Sequence, residues 1–588
     1  MTTARAGTGI SPRLTAPGEP ATARRPGARE RWLGSVPRWT WWAALPLGVI
    51  YLILLTHQLD AAIRTTNLDA DAASGPVIGE LFGAAPAHAN VILGEFGWYA
   101  TLLFDLATKW LPVHRQIWEA APYAMALAGA GLAAWSVWQV AGAWAAGLTA
   151  VLLICASPAT LRLQLSTTQH APAWFCLALL GAFVVWLERR ADDARRVVLI
   201  ALAVVIGTVV GVNAKSDPLV LIGAVAPFAL ALVVAHGRLI VARRPRITRA
   251  LGTGVATLAV AVVAWGITRI AMRALSVTPE PDLHPTKLVA GAKTVHNAKL
   301  WVRSVAVLGN GAVSGGSLTP RVVLAAACAA VSIAAVLLLP WLGWRALRGR
   351  TSAPSDRGRR AFFAFWCSSA ILLSLAFLFS DAPVDIHADR YLVGLLYAAA
   401  AVVPAAAVLA PPGSAGRGRA PGAGRGRAAG AGRGWAAGAV LAGTCVFALG
   451  AIVSMARGIS SEGTEFHTPV SAGVASQIAG IAARDHLSVG YAGYWDAAPV
   501  TWSTGFRVQV YPVAVCDQNA HLCRFDLHFI SSWYSPRSGT GSFLLTDDRS
   551  NQSVTMPTPD LGHPSAVYRI GPIKMYTYPY DLAARIVS

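Results

Sequence analysis

Ionisable side chains concentrate in short polar segments that separate long apolar runs of this 588-residue chain. Three groups stand out, namely Asp60, Asp69, Asp71 and Glu80; Lys215 and Asp217; and Asp385, His387, Asp389 and Arg390. Carboxylates can take a proton from a hydroxyl group, and cationic side chains can bind phosphate. This layout suits a reaction at a membrane surface, in which lipid delivers one substrate and water delivers the other.

The first two groups also have purely structural interpretations. Two acids two residues apart in a polar loop, as Asp69 and Asp71 are, are commonly solvated turn residues. Lys215 and Asp217 stand directly before Pro218, and such a sequence can be a capped helix start. Spacing alone therefore leaves both interpretations open.

The third group is equally ambiguous from spacing. Asp389 and Arg390 can cap a helix end and anchor it at the membrane interface. His387, and His170 in an earlier polar segment, could ligate a metal, but no neighbouring ligand pattern supports that role. We therefore predict no metal ligands here, although a divalent cation that accompanies a substrate stays possible.

Apolar content indicates that these groups belong to a membrane protein. Apolar residues make up 55% of the chain, charged residues 13%, and mean hydropathy is +0.50. Apolar runs of membrane-spanning length predict an α-helical polytopic protein with about eleven transmembrane helices. The runs lie near residues 40–57, 119–139, 141–157, 171–187, 197–213, 218–236, 250–269, 322–344, 361–380, 391–410 and 435–455.

The interiors of the predicted spans contain no Asp, Glu, Lys, Arg or His. Ion-coupled transporters generally need such a group at membrane depth, because the coupled charge must bind there. The pattern therefore disfavours that class of transporter.

Arginine placement predicts the orientation. With the N-terminus inside, the inner segments are 1–39, 188–196, 238–249, 345–360 and 411–434, and they carry 27 arginines, no lysine and six acidic residues. The whole chain has a formal charge of +20, so the remaining segments are close to neutral. The positive-inside rule then predicts a cytoplasmic N-terminus and an extracytoplasmic C-terminus at a cell membrane.

Several segments outside the spans have recognisable character. Residues 1–39 read as a disordered basic tail, and the Gly/Arg-rich stretch 411–434 reads as a flexible cytoplasmic loop. The first outside loop, 57–118, contains an apolar run from Val91 to Trp110 that predicts an interfacial helix. The cationic stretch 287–303 predicts a second surface helix.

Composition changes after the last span, so 40–456 is predicted to be the transmembrane domain and 457–588 a small extracytoplasmic α/β domain. A helix is expected at 469–486, and strands at 487–494, 507–515, 525–533, 542–546 and 566–578. Cys516 and Cys523, with six residues between them, are expected to form a disulfide, because this region lies outside. Trp495, Trp502 and Trp533 could stack on a sugar acceptor or be ordinary core.

The plan of residues 40–455 resembles the GT-C glycosyltransferases, which use polyprenyl-phosphate-linked sugars. The shared features are a long acidic first outside loop, many further spans and an external C-terminal domain. Asn67-Leu68-Asp69-Ala70-Asp71 stands where that family carries its catalytic acid, and 387–392 (HADRYL) is similar to a motif at the outer end of a late span. The stretch 490–503 is also similar to uncharacterised actinobacterial membrane proteins, which adds no chemistry.

The resemblance implies roles for individual residues. Asp69 or Asp71 would be the base of an inverting hexosyl or pentosyl transfer, with Asp69 preferred because it follows Asn67-Leu68. Arg390, Lys215 and Arg303 would bind the donor phosphate. The supporting residues would be Asp217, His387, Asp389 and Glu80.

The implied partners are a polyprenyl-phosphate-linked sugar, a cell-envelope glycan, lipid or protein acceptor, and the bilayer itself. The competing class is a non-catalytic membrane protein, either a polysaccharide or lipid exporter or a scaffold subunit. Nucleic acid binding is disfavoured, because the basic residues are dispersed over short loops without interleaved aromatics.

Overall fold

The computed structural model describes residues 39–66, 70–82, 85–86, 89–93, 115–166, 170–241, 248–279, 286–311, 318–348, 354–409, 425–457, 470–516, 521–549, 554, 556–557 and 559–586. Four predicted features therefore lie wholly or largely outside the described residues. They are the basic tail, Asp69, the interfacial helix beyond residue 93, and residues 411–424 of the Gly/Arg-rich loop. Residue Asp71 is described in its backbone but not in its side chain.

Helices account for most of the described chain up to residue 457. In chain order they are α1 Trp39–Thr66, α2 Ala70–Phe82, α3 Arg115–Ala141, α4 Ala143–Ile154, α5 Pro158–Leu165, α6 Ala171–Arg190, α7 Arg196–Ser216, α8 Pro218–Val220, α9 Ala226–Val241, α10 Arg249–Ala274, α11 Ala292–Leu308, α12 Pro320–Leu347, α13 Pro354–Phe379, α14 Val393–Leu409 and α15 Arg425–Met455. A π-helical turn, Leu221–Val225, joins α8 to α9, and a 3-10 helix, Ile386–Leu392, precedes α14.

Nine helices in the described part of the chain are long and apolar enough to cross a membrane. The pair α4 and α5, which is bent by 82° at the break between them, is either a tenth, broken span or a re-entrant loop. Helix α1 contains a shorter apolar stretch, Ala44–Asp60, at the first predicted span. The protein is therefore a multi-pass α-helical membrane protein, as predicted, and the third predicted span, 141–157, falls on the bent pair of helices.

One helix begins within a segment that was predicted to be flexible. Helix α15 starts at Arg425, so residues 425–434 of the Gly/Arg-rich loop are helical and that part of the loop prediction is wrong. Alanine and arginine are both good helix formers, and these residues extend the apolar helix that follows them. The Gly/Arg-rich composition of the segment did not indicate that its last residues are helical.

Helices α7 and α10 pack unusually closely and face outward together. A Cβ added at Gly211 would lie 2.2 Å from the Ala261 carbonyl oxygen, and one at Gly207 would lie 2.7 Å from that of Thr257. Glycines four residues apart allow two membrane helices to approach at backbone distance. The outer faces of both helices carry exposed apolar side chains such as Ile200 and Val262, as expected for contact with lipid.

The interiors of the predicted spans contain no ionisable residue, but two such residues are buried where the spans end. Glu188 lies near the end of α6, His236 lies in α9, and both are fully buried. The Glu188 Oε1 atom is 2.7 Å from Nε2 of His236. The helices continue past the apolar runs, and their ends bury charged residues against one another.

The C-terminal domain is α/β, as predicted, over residues 470–586. It contains α16 Ala472–Arg484, α17 Tyr494–Ser503 and a six-stranded sheet in the order β5-β4-β3-β7-β9-β8. The strands are β3 Val489–Gly493, β4 Gln509–Val515, β5 Leu522–Arg524, β7 Ser542–Asp547, β8 Ala566–Ile570 and β9 Ile573–Tyr578. Strand β3 pairs in parallel with β4 and β7, and the other pairs are antiparallel. The predicted Cys516–Cys523 disulfide is present, with Cα atoms 5.6 Å apart.

A second, three-stranded sheet ties the membrane helices to this domain. Its strands are β2 Val277–Pro279, β1 Val91–Leu93 and β6 Phe529–Ile530, in that order. Residues 91–93 therefore form a strand, and the predicted interfacial helix is wrong at its start. The apolar run pairs with two partners that are distant in sequence, which periodicity cannot reveal.

Candidate functional site

A cluster of polar and charged residues lies where several helices begin or end on one side of the bundle. We call it the junction cluster, and it comprises Arg162, His170, Lys215, Asp217, Asp389, Arg390 and Tyr391. The residues come from α5, the residue before α6, the α7–α8 junction and the 3-10 helix. These residues are spread over more than 200 positions of the sequence, and the packing of the helices brings them together.

The centre of the junction cluster is a buried histidine–carboxylate pair. Nδ1 of His170 lies 2.7 Å from Oδ2 of Asp217, and the residues are 1% and 5% exposed. The other carboxylate oxygen, Oδ1, accepts a hydrogen bond of 2.9 Å from the Leu219 amide at the start of α8. Asp217 is therefore the predicted helix cap and also a partner that orients His170.

His170 is held in an uncommon backbone conformation. Its φ is +26° at the residue before α6, where Pro172 occupies the first turn. Non-glycine residues with positive φ are uncommon and cluster at functional sites. With Nδ1 directed at Asp217, the ring atom that would exchange a proton with a substrate is Nε2.

Arg390 reaches this pair through its neighbour Tyr391. The Tyr391 ring packs edge-on against the His170 ring, with centroids 5.3 Å apart. Nη2 of Arg390 donates a 3.2 Å hydrogen bond to the Tyr391 hydroxyl, and the guanidinium lies 5.2 Å from the ring centroid. The predicted phosphate-binding arginine and the His170–Asp217 pair thus belong to one connected arrangement.

The other polar residues in and beside the 3-10 helix differ in how far they are buried. Asp389 is buried, and the positive charges of Arg162 and Arg390 act on its carboxylate. Asp385 caps the 3-10 helix by accepting a 2.9 Å hydrogen bond from the His387 amide. His387 is exposed, so the structure places this predicted supporting residue at the rim of the site.

Lys215 and Arg303 lie in different settings. Lys215 is buried in the last turn of α7, two residues before Asp217. Arg303 is exposed on α11, where it lies ten residues beyond Lys293. Lys293 Nζ donates to the Pro383 carbonyl at 2.6 Å, so Arg303 lies about 15 Å further along the helix axis. Of the predicted phosphate ligands, Lys215 is linked to the His170–Asp217 pair along the chain and Arg390 is linked to it through Tyr391.

Helix α11 is the predicted second surface helix, although it begins at Ala292 rather than near residue 287. Leu288 and Val289 are extended, and the Val289 amide donates to the Phe379 carbonyl at 2.9 Å. Asn297 Nδ2 donates to the Ser380 carbonyl at 2.8 Å. The helix therefore packs against the end of α13 and contacts residues 380–383, which lead into the 3-10 helix that carries Arg390.

The end of α1 lies next to this site. Ala62 and Ile63, near the end of α1, share a buried apolar cluster with Leu161 and Leu165, which flank Arg162 on α5. Asp69 lies outside the described residues, only three positions beyond α1. Asp71 lies in the first turn of α2, and Glu80 is exposed near its other end. The roles of all three remain predictions.

Helix α2 is held in place by the C-terminal domain. Val77 and Ile78 share a buried cluster with Trp502 and Trp533. Both tryptophans are at most 5% exposed and are core residues, so the sugar-stacking interpretation is wrong for them. Trp495 is half-buried against Tyr494, with ring centroids 5.1 Å apart. The domain thus supports the segment that follows Asp69.

A second set of charges meets inside the C-terminal domain, where the sequence shows only scattered acids. Asp496 is 4% exposed, in the first turn of α17. Burial and the Asp547 carboxylate together raise the pKa of Asp496 to about 7, against the opposing effect of Arg549. Arg549 binds Asp547 at 2.7 Å. Within the described residues, no group of three His, Cys, Asp or Glu side chains could hold a metal ion.

Sequence reasoning missed His170 and Arg162 as partners of Asp217 and Asp389. The local signal was weak, because His170 precedes Ala-Pro at a helix start and Arg162 lies among leucines. Both lie in one polar segment between two apolar runs. A search for ionisable residues adjacent to Pro-initiated helices would have found His170 and Asp217 together.

The chain matches no family model and no curated protein sequence. Among solved structures it is similar to ArnT from Cupriavidus metallidurans in the apo state, with 14% identity over 91% of this chain and 98% of that chain and a TM-score of 0.44. It is also similar to the same protein bound to undecaprenyl phosphate, with 13% identity over 90% and 97% of the two chains and a TM-score of 0.49.

Proposed function

We propose that this chain is a glycosyltransferase that moves a sugar from a polyprenyl-phosphate donor to a cell-envelope acceptor. The carrying observation is the junction cluster, in which Arg390 and Lys215 accompany the buried His170–Asp217 pair at one end of an apolar bundle. A lipid-linked substrate would place its phosphate at that depth and its prenyl chain along the bundle. The GT-C resemblance of residues 67–71 and 387–392 supports the same reaction class.

The cations would stabilise the leaving group. When the bond between the anomeric carbon and the phosphate oxygen breaks, its electron pair stays on the phosphate, where negative charge grows. Arg390 can bind this group through two parallel hydrogen bonds, and Lys215 adds a point charge. Their low-dielectric surroundings strengthen the attraction relative to water.

A base must take the acceptor proton as the new bond from oxygen to the anomeric carbon forms. Asp69 is the preferred base and Asp71 the second, because α1, which ends three positions before Asp69, packs against α5, the helix that carries Arg162. Attack from the face opposite the phosphate would invert the anomeric configuration. His170 is a third candidate, since Asp217 orients its ring for proton exchange at Nε2.

The C-terminal domain would assist rather than catalyse. It packs against α2, which begins at Ala70 directly after Asp69, and it contributes β6 to the sheet with β1 and β2. Holding α2 in place would position the base, and an acceptor bound to the domain would approach the same point. Arginine distribution supports an extracytoplasmic location for this end of the bundle.

The test is turnover by the purified full chain in lipid nanodiscs with a panel of polyprenyl-phosphate hexoses and pentoses. We expect one donor to be consumed in the presence of envelope acceptors. Arg390→Lys should raise the KM for that donor about tenfold, because lysine cannot form the two-pronged contact. Arg273→Lys, an exposed arginine at the end of α10, is the matched control.

The competing function is a non-catalytic exporter or scaffold subunit. It would be favoured if no donor on the panel were consumed while the protein remained folded and monodisperse. It would also be favoured if Arg390→Lys and Arg273→Lys changed donor consumption equally.

A further inference from the structure

A cavity of about 330 Å³ opens between the ends of α3 and α6. It is lined in part by Trp135 and Trp186, and by Arg189, Arg190 and Asp193. Its volume is within the range of small-molecule sites in proteins. The cavity contains none of the residues used in the proposed transfer reaction.

The cavity lies at the end of the bundle that is remote from the junction cluster. Helix α6 starts at Ala171, beside His170, and runs for 20 residues to Arg190. A helix of that length spans about 30 Å, which is the thickness of the hydrocarbon core of a bilayer. The cavity is therefore at the opposite membrane boundary, in the arginine-rich part of the chain.

Its walls have the chemistry of a lipid headgroup site. Trp135 and Trp186 are partly exposed, and the Trp186 ring stacks on Phe183 with centroids 6.0 Å apart. Tryptophan rings are enriched at the level of lipid headgroups, where one edge meets water and the other meets acyl chains. Arg189 donates from Nη1 to the Gln139 carbonyl on α3, which holds its guanidinium at the cavity.

The charges select for an anion. Arg189 and Arg190 contribute two positive charges and Asp193 one negative charge, so the lining is net positive. The carbonyl ends of α3 and α6 point toward this boundary and disfavour anions. Binding would therefore depend on the guanidinium groups, and on Arg190 most of all because it is exposed.

We propose that this cavity binds the phosphate of an anionic glycerophospholipid from the leaflet at the arginine-rich face. The phosphate lies against Arg189 and Arg190, the glycerol lies between the two tryptophans, and the acyl chains follow the exposed face of α3, which carries Leu127 and Trp138. Basic pockets between membrane helices recognise acidic headgroups in this way. The proposal is independent of the transfer reaction.

The test is native mass spectrometry of the full chain released from nanodiscs of phosphatidylglycerol, phosphatidylcholine or an equal mixture. We expect the wild-type protein to retain one phosphatidylglycerol in preference to phosphatidylcholine. Arg190→Gln should reduce retention roughly tenfold, the effect of losing one charge-assisted hydrogen bond. Asp193→Asn should increase it, because a repelling carboxylate is removed.

The matched control is Arg196→Gln, an exposed arginine in the first turn of α7, a few residues along the same loop. It should retain the lipid as the wild type does, and Trp135→Leu should lose it without a change of charge. Equal retention by wild type and Arg190→Gln, or equal retention of both lipids, would overturn the proposal. Displacement of the lipid by millimolar inorganic phosphate would identify a free-anion site instead and would overturn it as well.

Discussion

Nδ1 of His170 lies 2.7 Å from Oδ2 of Asp217, although the two residues are 47 positions apart in the chain. Both are buried where two membrane helices start, and the same carboxylate caps the second of them. A buried polar pair of this kind adds little net stability, because desolvation of both groups offsets their attraction. Asp217 therefore caps α8 and orients the His170 ring with the same carboxylate.

Changes at Asp217 should separate its capping role from its positioning role. Asp217→Asn keeps an oxygen for the Leu219 amide, so unfolding should change little, whereas Asp217→Ala should cost about 1 kcal/mol through the lost cap. Both variants should lower donor turnover if His170 must be oriented. Thermal unfolding and turnover, measured on the same preparations, distinguish the effects. Wild-type turnover by Asp217→Asn would show that the pair is only structural.

Asp69→Asn should reduce the transfer rate by roughly two to four orders of magnitude, as expected for loss of a general base. The fold should survive, because a loop carboxylate contributes little to stability. Asp105→Asn, in the same acidic segment, is the control. If Asp69→Asn and Asp71→Asn both turn over donor at the wild-type rate, the base lies elsewhere and His170→Gln becomes the deciding variant.

The stability of the C-terminal domain should depend on pH through the titration of Asp496. Burial raises the pKa of Asp496 from 3.8 to about 7, so the folded domain holds a proton that the unfolded chain releases between these values. The stabilising contribution is complete below about pH 4 and is lost as pH rises through 7, with a slope of at most about 1.4 kcal/mol per pH unit. Hydrogen exchange of β3 and β7 across this range measures it.

The variant that removes this titration is Asp496→Asn, since asparagine cannot ionise. Its domain should lose less stability than the wild type between pH 4 and 8. Asp526→Asn is the control, because the Asp526 side chain is 86% exposed and needs no desolvation. An identical pH slope in Asp496→Asn and wild type would contradict the assignment.

Gly211→Leu should separate α7 from α10, because even a Cβ atom at Gly211 meets the Ala261 carbonyl at 2.2 Å. We expect a lower unfolding temperature in detergent and increased proteolysis between the two helices. The loss of stability should exceed that caused by a typical surface substitution, which lies within about 0.5 kcal/mol. Gly266→Leu on α10 is the control, since nothing lies within 4 Å of a Cβ at that position. Equal melting of both variants would exclude close packing at Gly211.

The sequence alone was sufficient for the membrane helices, the disulfide and most of the C-terminal strands. Lipid leaves a long apolar segment few alternatives to a helix, so the runs at 197–213 and 250–269 predict α7 and α10 directly. Cys516 and Cys523 are close in sequence; Cys516 directly follows β4, Cys523 lies in β5, and the two strands form a local antiparallel pair. Local constraint explains each of these successes.

Tertiary structure decided the features that depend on distant partners. Val91–Leu93 became a strand because Val277 and Ile530 pair with Val91 from two sides. Trp502 and Trp533 became core because α2 covers them, and Asp496 met Asp547 only through the packing of α17 beside the sheet. His170 and Asp217 look like separate helix-start residues in the chain. Their pairing follows from the packing of α6 beside the α7–α8 junction, a relation that no local pattern of residues encodes.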